Sequence, residues 1–199
     1  MRFRLTLACV ATILCCVTGI MRGDDKPVAG APAAAAAEAA NSGVTIGEIR
    51  IQTVPAMTYL YLPLETTFAK MGDPIKEGFD KIFGAAVEAK LLIARPTMIV
   101  YQGNPHFDPQ KSFKMEYGIV VGDDTQAIGD CKVRKTEAFH CATILYTGPV
   151  DQQGQAYQKL IPAIKAAGQT PTGEEREMCL YWEGLESPNN VFMMMIGIK

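Results

Sequence analysis

The chain has 199 residues, of which 48% are hydrophobic and 20% are charged, a composition typical of globular proteins. It excludes a fibrous, collagen-like or mainly disordered chain. The 19 Lys and Arg residues nearly balance 21 Asp and Glu residues, for a net charge of −2. Because the chain has no run of basic residues, its charge does not favour nucleic-acid binding, and we expect no nucleic-acid partner.

The N-terminus predicts export. A short basic start, Met1 to Arg4, precedes an apolar or small run from Leu5 to Val17, and Gly19 and Gly23 follow. This order is typical of a secretory signal peptide, predicted at residues 1–23, with cleavage after Gly19 or, alternatively, after Gly23. The run of about 13 residues is shorter than the roughly 20 that span a bilayer, so no integral membrane anchor is expected. We therefore predict a periplasmic or secreted protein.

Three of the six cysteines fall in this leader, which leaves Cys131, Cys141 and Cys179 in an oxidising compartment. Cys131 and Cys141 are expected on one extended strand, too far apart to form a disulfide, so any bridge would use Cys179. Cys15 and Cys16 lack the small residues that precede a lipidated cysteine. A lipid anchor is therefore not expected.

Residues 24–43 are rich in Pro, Gly and Ala and are predicted to form a disordered linker. Almost no bulky side chain in this stretch could offset the entropy lost on ordering. The folded domain is predicted over residues 44–199, which is long enough for a single hydrophobic core.

Within this domain, two halves share the order strand, helix, strand, strand, which indicates an internal duplication. The first half is predicted to begin with a strand over residues 44–62, which has a break near Pro55. A helix that begins at Gly72-Asp73-Pro74 follows, and then two strands over residues 98–101 and 114–121. The second half is predicted to contain a helix over 153–167, kinked or restarted at Pro162, and strands over 131–146, 176–182 and 190–199. Met98 to Gly103 also aligns with Met178 to Gly184 after one insertion.

The order of several short motifs resembles the GyrI-like small-molecule-binding domain, which is also the effector-binding part of AraC- and MerR-type bacterial activators. These motifs are Val54-Pro55-Ala56, Tyr117 to Val121, Thr147-Gly148-Pro149, Ala156-Tyr157 and Arg176 to Leu180. The resemblance covers nearly all of residues 44–199. It implies an α+β fold of duplicated strand-helix-strand-strand units, similar also to SOUL haem-binding proteins, with an antiparallel sheet around a cleft and two outer helices.

The resemblance also implies a ligand-binding glutamate, in the pattern Arg-Glu-x-Tyr, on the strand that enters the cleft. Here that glutamate is Glu177, and period-two alternation puts Cys179 and Tyr181 on its strand face. Cys179 replaces the usual tyrosine, which removes a ring and a hydroxyl that Tyr181 or Trp182 would have to supply. Further tyrosines would either line the cleft or fill the core: Tyr59, Tyr61 and Tyr117.

A carboxylate in an aromatic-lined cleft attracts cations, because burial strengthens the Coulomb attraction and ring faces add about 0.5 to 2 kcal/mol. Burial would also suit Glu177 to general acid or base catalysis. The alternative is that Glu177 is one of several exposed carboxylates, together with Glu174, Glu175 and Glu183.

The leading functional hypothesis is an exported, non-enzymatic protein that binds a small molecule, cationic or aromatic in character. One alternative is a hydrolase of cyclopropane-bearing toxins, an activity that the resemblance implies for some family members; another is a module that binds a protein or peptide. We predict no metal site and no cofactor, haem included, because the chain has two histidines and no metal, triad or nucleotide motif. His106 is expected to be a loop residue and His140 a strand residue.

Overall fold

The structure, a computed structural model, describes residues 43–91 and 96–199. The predicted signal peptide at 1–23, and all but the last residue of the predicted linker at 24–43, lie outside the described residues. Among the residues that the structure describes, no helix is long and apolar enough to cross a membrane.

The described chain contains two helices, α1 (Gly72–Glu88) and α2 (Gly154–Ala166). Its strands are β1 (Thr45–Ile46), β2 (Arg50–Val54), β3 (Thr58–Thr66), β4 (Thr97–Gln102), β5 (Phe113–Val120), β6 (Lys132–Lys135), β7 (Phe139–Thr147), β8 (Pro171–Tyr181) and β9 (Val191–Ile198). Short 3-10 turns lie at Phe68–Lys70, Pro105–Phe107 and Val150–Gln152.

All these strands form one antiparallel sheet in the order β1-β7-β9-β8-β4-β5-β3-β6, with β2 also paired to β7. The first half contributes β3, β5 and β4, the second contributes β7, β9 and β8, and the two halves join where β4 pairs with β8. Met98 of β4 lies directly opposite Met178 of β8. Because these two residues also align in sequence, an approximate two-fold axis passes through this pair, and the predicted duplication is confirmed.

Both helices pack on one face of the sheet, as their apolar stripes require. Ile82 of α1 packs in a buried cluster with Leu60, and Leu160 of α2 packs in another with Ile144. Strand register places Leu60 and Ile119 on the same face as Tyr146, because directly paired residues share a face. We call this side of the sheet the helix face.

The opposite face carries a third apolar cluster, which neither α1 nor α2 covers. The sheet curls, so that residues of the outer strands, Val54 and Tyr59, belong to one buried cluster with Met98 and Met178 of the central strands. The fold is therefore α+β, with a curled antiparallel sheet and two outer helices, as predicted.

The single strand predicted over 131–146 is wrong. The chain turns between β6 and β7, and Thr136 fixes this turn: its N–H donates to the Met57 carbonyl and its hydroxyl accepts from the Met57 N–H, at 2.8 and 3.0 Å. Cys131 and Cys141 consequently belong to different elements and different apolar clusters. Both are buried free thiols, and Cys179 is a half-buried free thiol.

The predicted restart of the second helix at Pro162 is also wrong. Helix α2 runs without interruption through Pro162. This residue is exposed, between the partly buried Ile161 and Ala163. On the solvent side, the carbonyl that loses its donor to proline can turn towards water, so the helix accommodates the ring.

Candidate functional site

Glu177 lies at the centre of the sheet, next to the junction of the two halves. It pairs with Ile99 of β4 on one side and with Met194 of β9 on the other. Its side chain points to the helix face, and the residue is only 7% exposed. The exposed strand-end alternative for Glu177 is therefore wrong.

Two tyrosine hydroxyls hold the carboxylate of Glu177. The Tyr101 hydroxyl of β4 donates to Oε2 at 3.1 Å, and the Tyr157 hydroxyl of α2 donates to Oε1 at 2.7 Å. Burial, and then the negative charge of Glu177, raise the pKa of both tyrosines well above its usual value. Both phenols therefore stay protonated at neutral pH and act as hydrogen-bond donors to the carboxylate.

His106, in the 3-10 turn after β4, completes the aromatic surroundings. Its ring stacks on Tyr157 with centroids 3.5 Å apart and planes 7° apart, and it meets Tyr101 edge-on at 5.3 Å. Phe68 lies against it at 4.6 Å. The Nε2 atom is 3.9 Å from Oε1 of Glu177. The imidazole therefore lies in a box of aromatic rings beside the carboxylate.

A second carboxylate, Glu175, faces the same box. Its side chain is 0% exposed, and Oε2 contacts Nδ1 of His106. The other oxygen, Oε1, is buried and has no hydrogen-bond partner among the residues that the structure describes. Burying carboxylates is costly unless cations or donors compensate for them, so two acidic groups around one imidazole form a strongly polar cluster in the protein interior.

The structure separates Tyr181 from this centre. A register shift between Cys179 and Tyr181 interrupts the alternation along β8, so the prediction that both share the face of Glu177 fails at Tyr181. Tyr181 is 52% exposed, and its hydroxyl donates to Glu183 at 2.8 Å. Cys179 stays close to the site on the same strand, half-buried and packed against the apolar cluster under α2.

Tyr59 and Tyr61 lie on the opposite face of the sheet, in the third apolar cluster. The Tyr59 hydroxyl donates to Glu116, and Arg134 donates to the same carboxylate oxygen at 2.6 and 2.8 Å. The Arg134 guanidinium also lies 5.1 Å from the Tyr59 ring centroid. These two tyrosines belong to a separate polar cluster, and the structure does not bring them together with Glu177.

Tyr117 faces the helices but lies under α1. Its hydroxyl donates to the Pro74 carbonyl at 3.3 Å, and its ring packs edge-on against Phe79. It belongs to the apolar cluster of the first half. Of the two interpretations that the sequence left open for Tyr117, the contacts favour core packing.

Sequence reasoning missed the roles of four residues: Tyr101, His106, Tyr157 and Glu175. For two of them, Tyr101 and Tyr157, the sequence contains a pattern that could have indicated the role. Tyr101 follows Ile99 by two residues, so alternation puts both on one face, and Tyr157 belongs to the Ala156-Tyr157 motif before an apolar helix position. His106 follows β4 in an irregular segment, where no periodicity indicates which way a side chain points. In the part of the chain that the structure describes, no group of three or more His, Cys, Asp or Glu residues could hold a metal ion.

The fold is similar to that of several solved proteins. The crystal structure of the EcmrR C-terminal domain is matched with a TM-score of 0.64 and 16% identity, over 77% of this chain and 98% of that chain. The structure of SAV2435 bound to tetraphenylphosphonium is matched with a TM-score of 0.51 and 16% identity, over 76% and 94%.

EcmrR in its complex with DNA is matched with a TM-score of 0.60 and 16% identity, over 78% of this chain and 57% of that longer chain. No curated protein sequence matches. The family model of the GyrI-like small molecule binding domain matches residues 47–193, which is most of the chain. The chain therefore belongs to the GyrI-like small molecule binding domain family.

Proposed function

We propose that this protein is exported and binds a small cationic aromatic molecule at Glu177. The observation that carries the proposal is the buried Glu177 carboxylate, held by two tyrosine hydroxyls inside a box of aromatic rings. Charge attraction strengthens in such low-dielectric surroundings, and the ring faces add cation–π attraction. The site binds rather than transforms its ligand in this proposal.

The charge distribution around the site supports a cation. Glu175 and Glu177 both face the box, whereas the intervening Arg176 points to the other face of the sheet. Its guanidinium lies 3.9 Å from the Phe139 ring centroid and pairs with Glu174. The carboxylates therefore keep their attraction for an incoming cation.

The relatives support the same ligand class. The family is described as a small molecule binding domain. The SAV2435 structure contains tetraphenylphosphonium, a cation surrounded by four aromatic rings. A carboxylate among tyrosines is suited to such a charge, and we carry the ligand class, not the individual compound, to this chain.

Calorimetric titration tests the proposal. The purified protein is titrated with three aromatic cations, tetraphenylphosphonium, benzyltrimethylammonium and benzamidinium, and with the neutral compounds benzyl alcohol and benzamide. We expect cation-selective binding that Glu177→Gln weakens at least about tenfold, a loss of about 1.4 kcal/mol. The charge-matched control is Glu186→Gln, at an exposed position, which should leave the affinity unchanged.

Two results would overturn the proposed cation-binding function. Equal binding of cations by the native protein and the Glu177→Gln variant would remove Glu177 from the site. Failure of every cation to bind would favour a protein or peptide partner instead. Export is tested separately by sequencing the N-terminus of the mature protein, which should begin just after Gly19 or Gly23.

One observation favours hydrolysis as a second candidate function. The Nδ1 atom of His106 contacts the buried carboxylate of Glu175, an arrangement that can orient an imidazole as a general base beside Glu177. Mass spectrometry of a cyclopropane-bearing electrophile incubated with the protein tests this candidate. A hydrated product that disappears with Glu177→Gln would support it, and unchanged substrate would exclude this reaction.

A further inference from the structure

We propose that His106 is an internal occupant of the Glu177 site, and that the ligand replacing it is a planar cation with N–H donors on its edge. Imidazolium, amidinium and guanidinium groups have this chemistry. The inference rests on the proposed function and deepens it, because it names the ligand class and the group that the ligand displaces.

The contacts of His106 define the shape of the ligand. A flat ring lies parallel to Tyr157 at 3.5 Å, and Phe68 closes against it at 4.6 Å. The two ring nitrogens face different carboxylates, Nδ1 towards Glu175 and Nε2 towards Glu177. Nδ1 contacts one carboxylate and Nε2 lies 3.9 Å from the other, so the site already holds a flat, nitrogen-bearing ring from its own chain.

One oxygen of Glu175 could still accept a hydrogen bond that the His106 ring does not supply. Within residues 43–91 and 96–199, Oε1 of this fully buried carboxylate finds no hydrogen-bond donor, although Oε2 contacts His106. An imidazole offers one N–H to this carboxylate, whereas an amidinium or guanidinium offers two parallel N–H groups that match both oxygens. Such a cation would therefore satisfy the site more completely than His106. A quaternary ammonium or phosphonium has no N–H and would leave both carboxylates without a new donor.

The turn that carries His106 contains its own local hydrogen bonds. Two backbone hydrogen bonds lie within the turn, from Phe107 N to the Asn104 carbonyl and from Asp108 N to the Pro105 carbonyl, at 3.0 and 3.1 Å, and Gly103 N at its start donates to the Gly173 carbonyl of β8 at 2.7 Å. It begins at Gly103 and Asn104, with φ angles of +87° and +54°. Its flanking residues Pro105 and Phe107 line an outer cleft of about 280 Å³, although Pro105 is buried and Phe107 also packs against the apolar cluster under α2. Moving this turn outwards would preserve the hydrogen bonds inside it.

The experiment compares the native protein with His106→Ala by calorimetric titration of imidazole, benzamidine and benzyltrimethylammonium. We expect His106→Ala to bind imidazole and benzamidine at least about tenfold more tightly, because no internal ring has to be displaced. Benzyltrimethylammonium, which has no N–H, should gain less. The control is His140→Ala, which changes the exposed histidine that contacts Thr53 on β2 and should leave all three affinities unchanged.

A second measurement needs no variant. Because the chain has two histidines, His140 provides an internal reference for the imidazole proton signals of the native protein in NMR spectra. The stack on Tyr157 should displace the His106 signals by ring current. Adding benzamidine should move them towards the position of a free imidazole while the His140 signals stay in place.

The outcomes separate this inference from the proposed function. Equal benzamidine affinity in the native protein and His106→Ala, or unmoved His106 signals at saturating benzamidine, would overturn the inference alone if Glu177→Gln still weakens cation binding at least about tenfold. If no cation binds either protein, the inference and the proposed function both fail.

Discussion

The imidazole of His106 and the phenol of Tyr157 stack almost face to face, at 3.5 Å, although they come from different halves of the duplicated chain. His106 follows β4 of the first half, and Tyr157 lies on α2 of the second half. The stack places both rings beside Glu177. The site therefore exists only where the two halves meet, and neither half contains all of its groups.

The Tyr157 hydroxyl should be important for stability. Tyr157→Phe removes the donor 2.7 Å from Oε1 of Glu177 and leaves a buried carboxylate less well satisfied. We expect the free energy of unfolding, measured in urea, to fall by about 1.5 to 3 kcal/mol. The control is Tyr181→Phe, whose exposed hydroxyl contacts Glu183; it should change stability by less than about 0.5 kcal/mol. Equal effects of the two substitutions would contradict the buried-donor role of Tyr157.

Alkaline pH should destabilise the fold through Tyr101 and Tyr157. Burial raises the pKa of both in the folded state, so the unfolded chain releases their protons from about pH 10 while the folded chain retains them. This contribution to stability is complete below pH 10 and is lost as the pH rises, by about 1.4 kcal/mol per pH unit for each tyrosine.

Urea unfolding between about pH 9 and pH 11 measures this loss. The double variant Tyr101→Phe, Tyr157→Phe has no phenol to titrate at the site, so its stability should fall less steeply with pH. Parallel profiles for the native and double-variant proteins would show that these two tyrosines do not cause the decline.

The polar cluster on the opposite face should stabilise the fold without affecting the ligand. Arg134→Met removes the guanidinium that contacts Glu116 and lies over the Tyr59 ring. We expect a loss of about 1 to 2 kcal/mol in urea denaturation and unchanged cation affinity. The control is Lys135→Met on the same strand, which breaks a solvent-exposed pair with Asp123 and should cost less than about 1 kcal/mol. Weaker cation binding by Arg134→Met would contradict the separation of the two clusters.

Two glycines of α1 provide a matched test of packing. A β-carbon on Gly78 would collide with the buried ring of Tyr117, whereas one on Gly84 would meet no atom within 4 Å. Gly78→Ala should therefore lower the free energy of unfolding by about 1 to 3 kcal/mol, and Gly84→Ala should raise it by up to about 1 kcal/mol. Thermal or urea unfolding of the two variants checks the opposite signs, and a stabilising Gly78→Ala would refute the close approach of α1 to the sheet.

The fold followed from the sequence because the duplication repeats one pattern of elements. The alignment of Met98 with Met178 anticipated the pair at which the halves join. The sequence misled where continuity was assumed across Thr136, since its two hydrogen bonds with Met57 are long-range contacts that no local pattern shows.

The site was only partly predictable for related reasons. Glu177 was identified through the family resemblance. Alternation along β3 could not decide which of its residues share the sheet face of Glu177, because Leu60 and Tyr59 lie on opposite faces and are both fully buried. His106 reaches Glu175 from an irregular turn. Its partner lies far away in the chain, so neither periodicity nor spacing could bring the two together.

The two-fold axis through Met98 and Met178 also bears on how many sites of this kind each chain contains. It relates Glu177 to Thr97, and Thr97 lies opposite the neutral Cys179 rather than beside a second acid. The counterpart of Tyr101 is the solvent-exposed Tyr181. Duplication thus created two geometrically related positions, of which one now holds the carboxylate and its donors. The proposed function therefore predicts one cation per chain, not two.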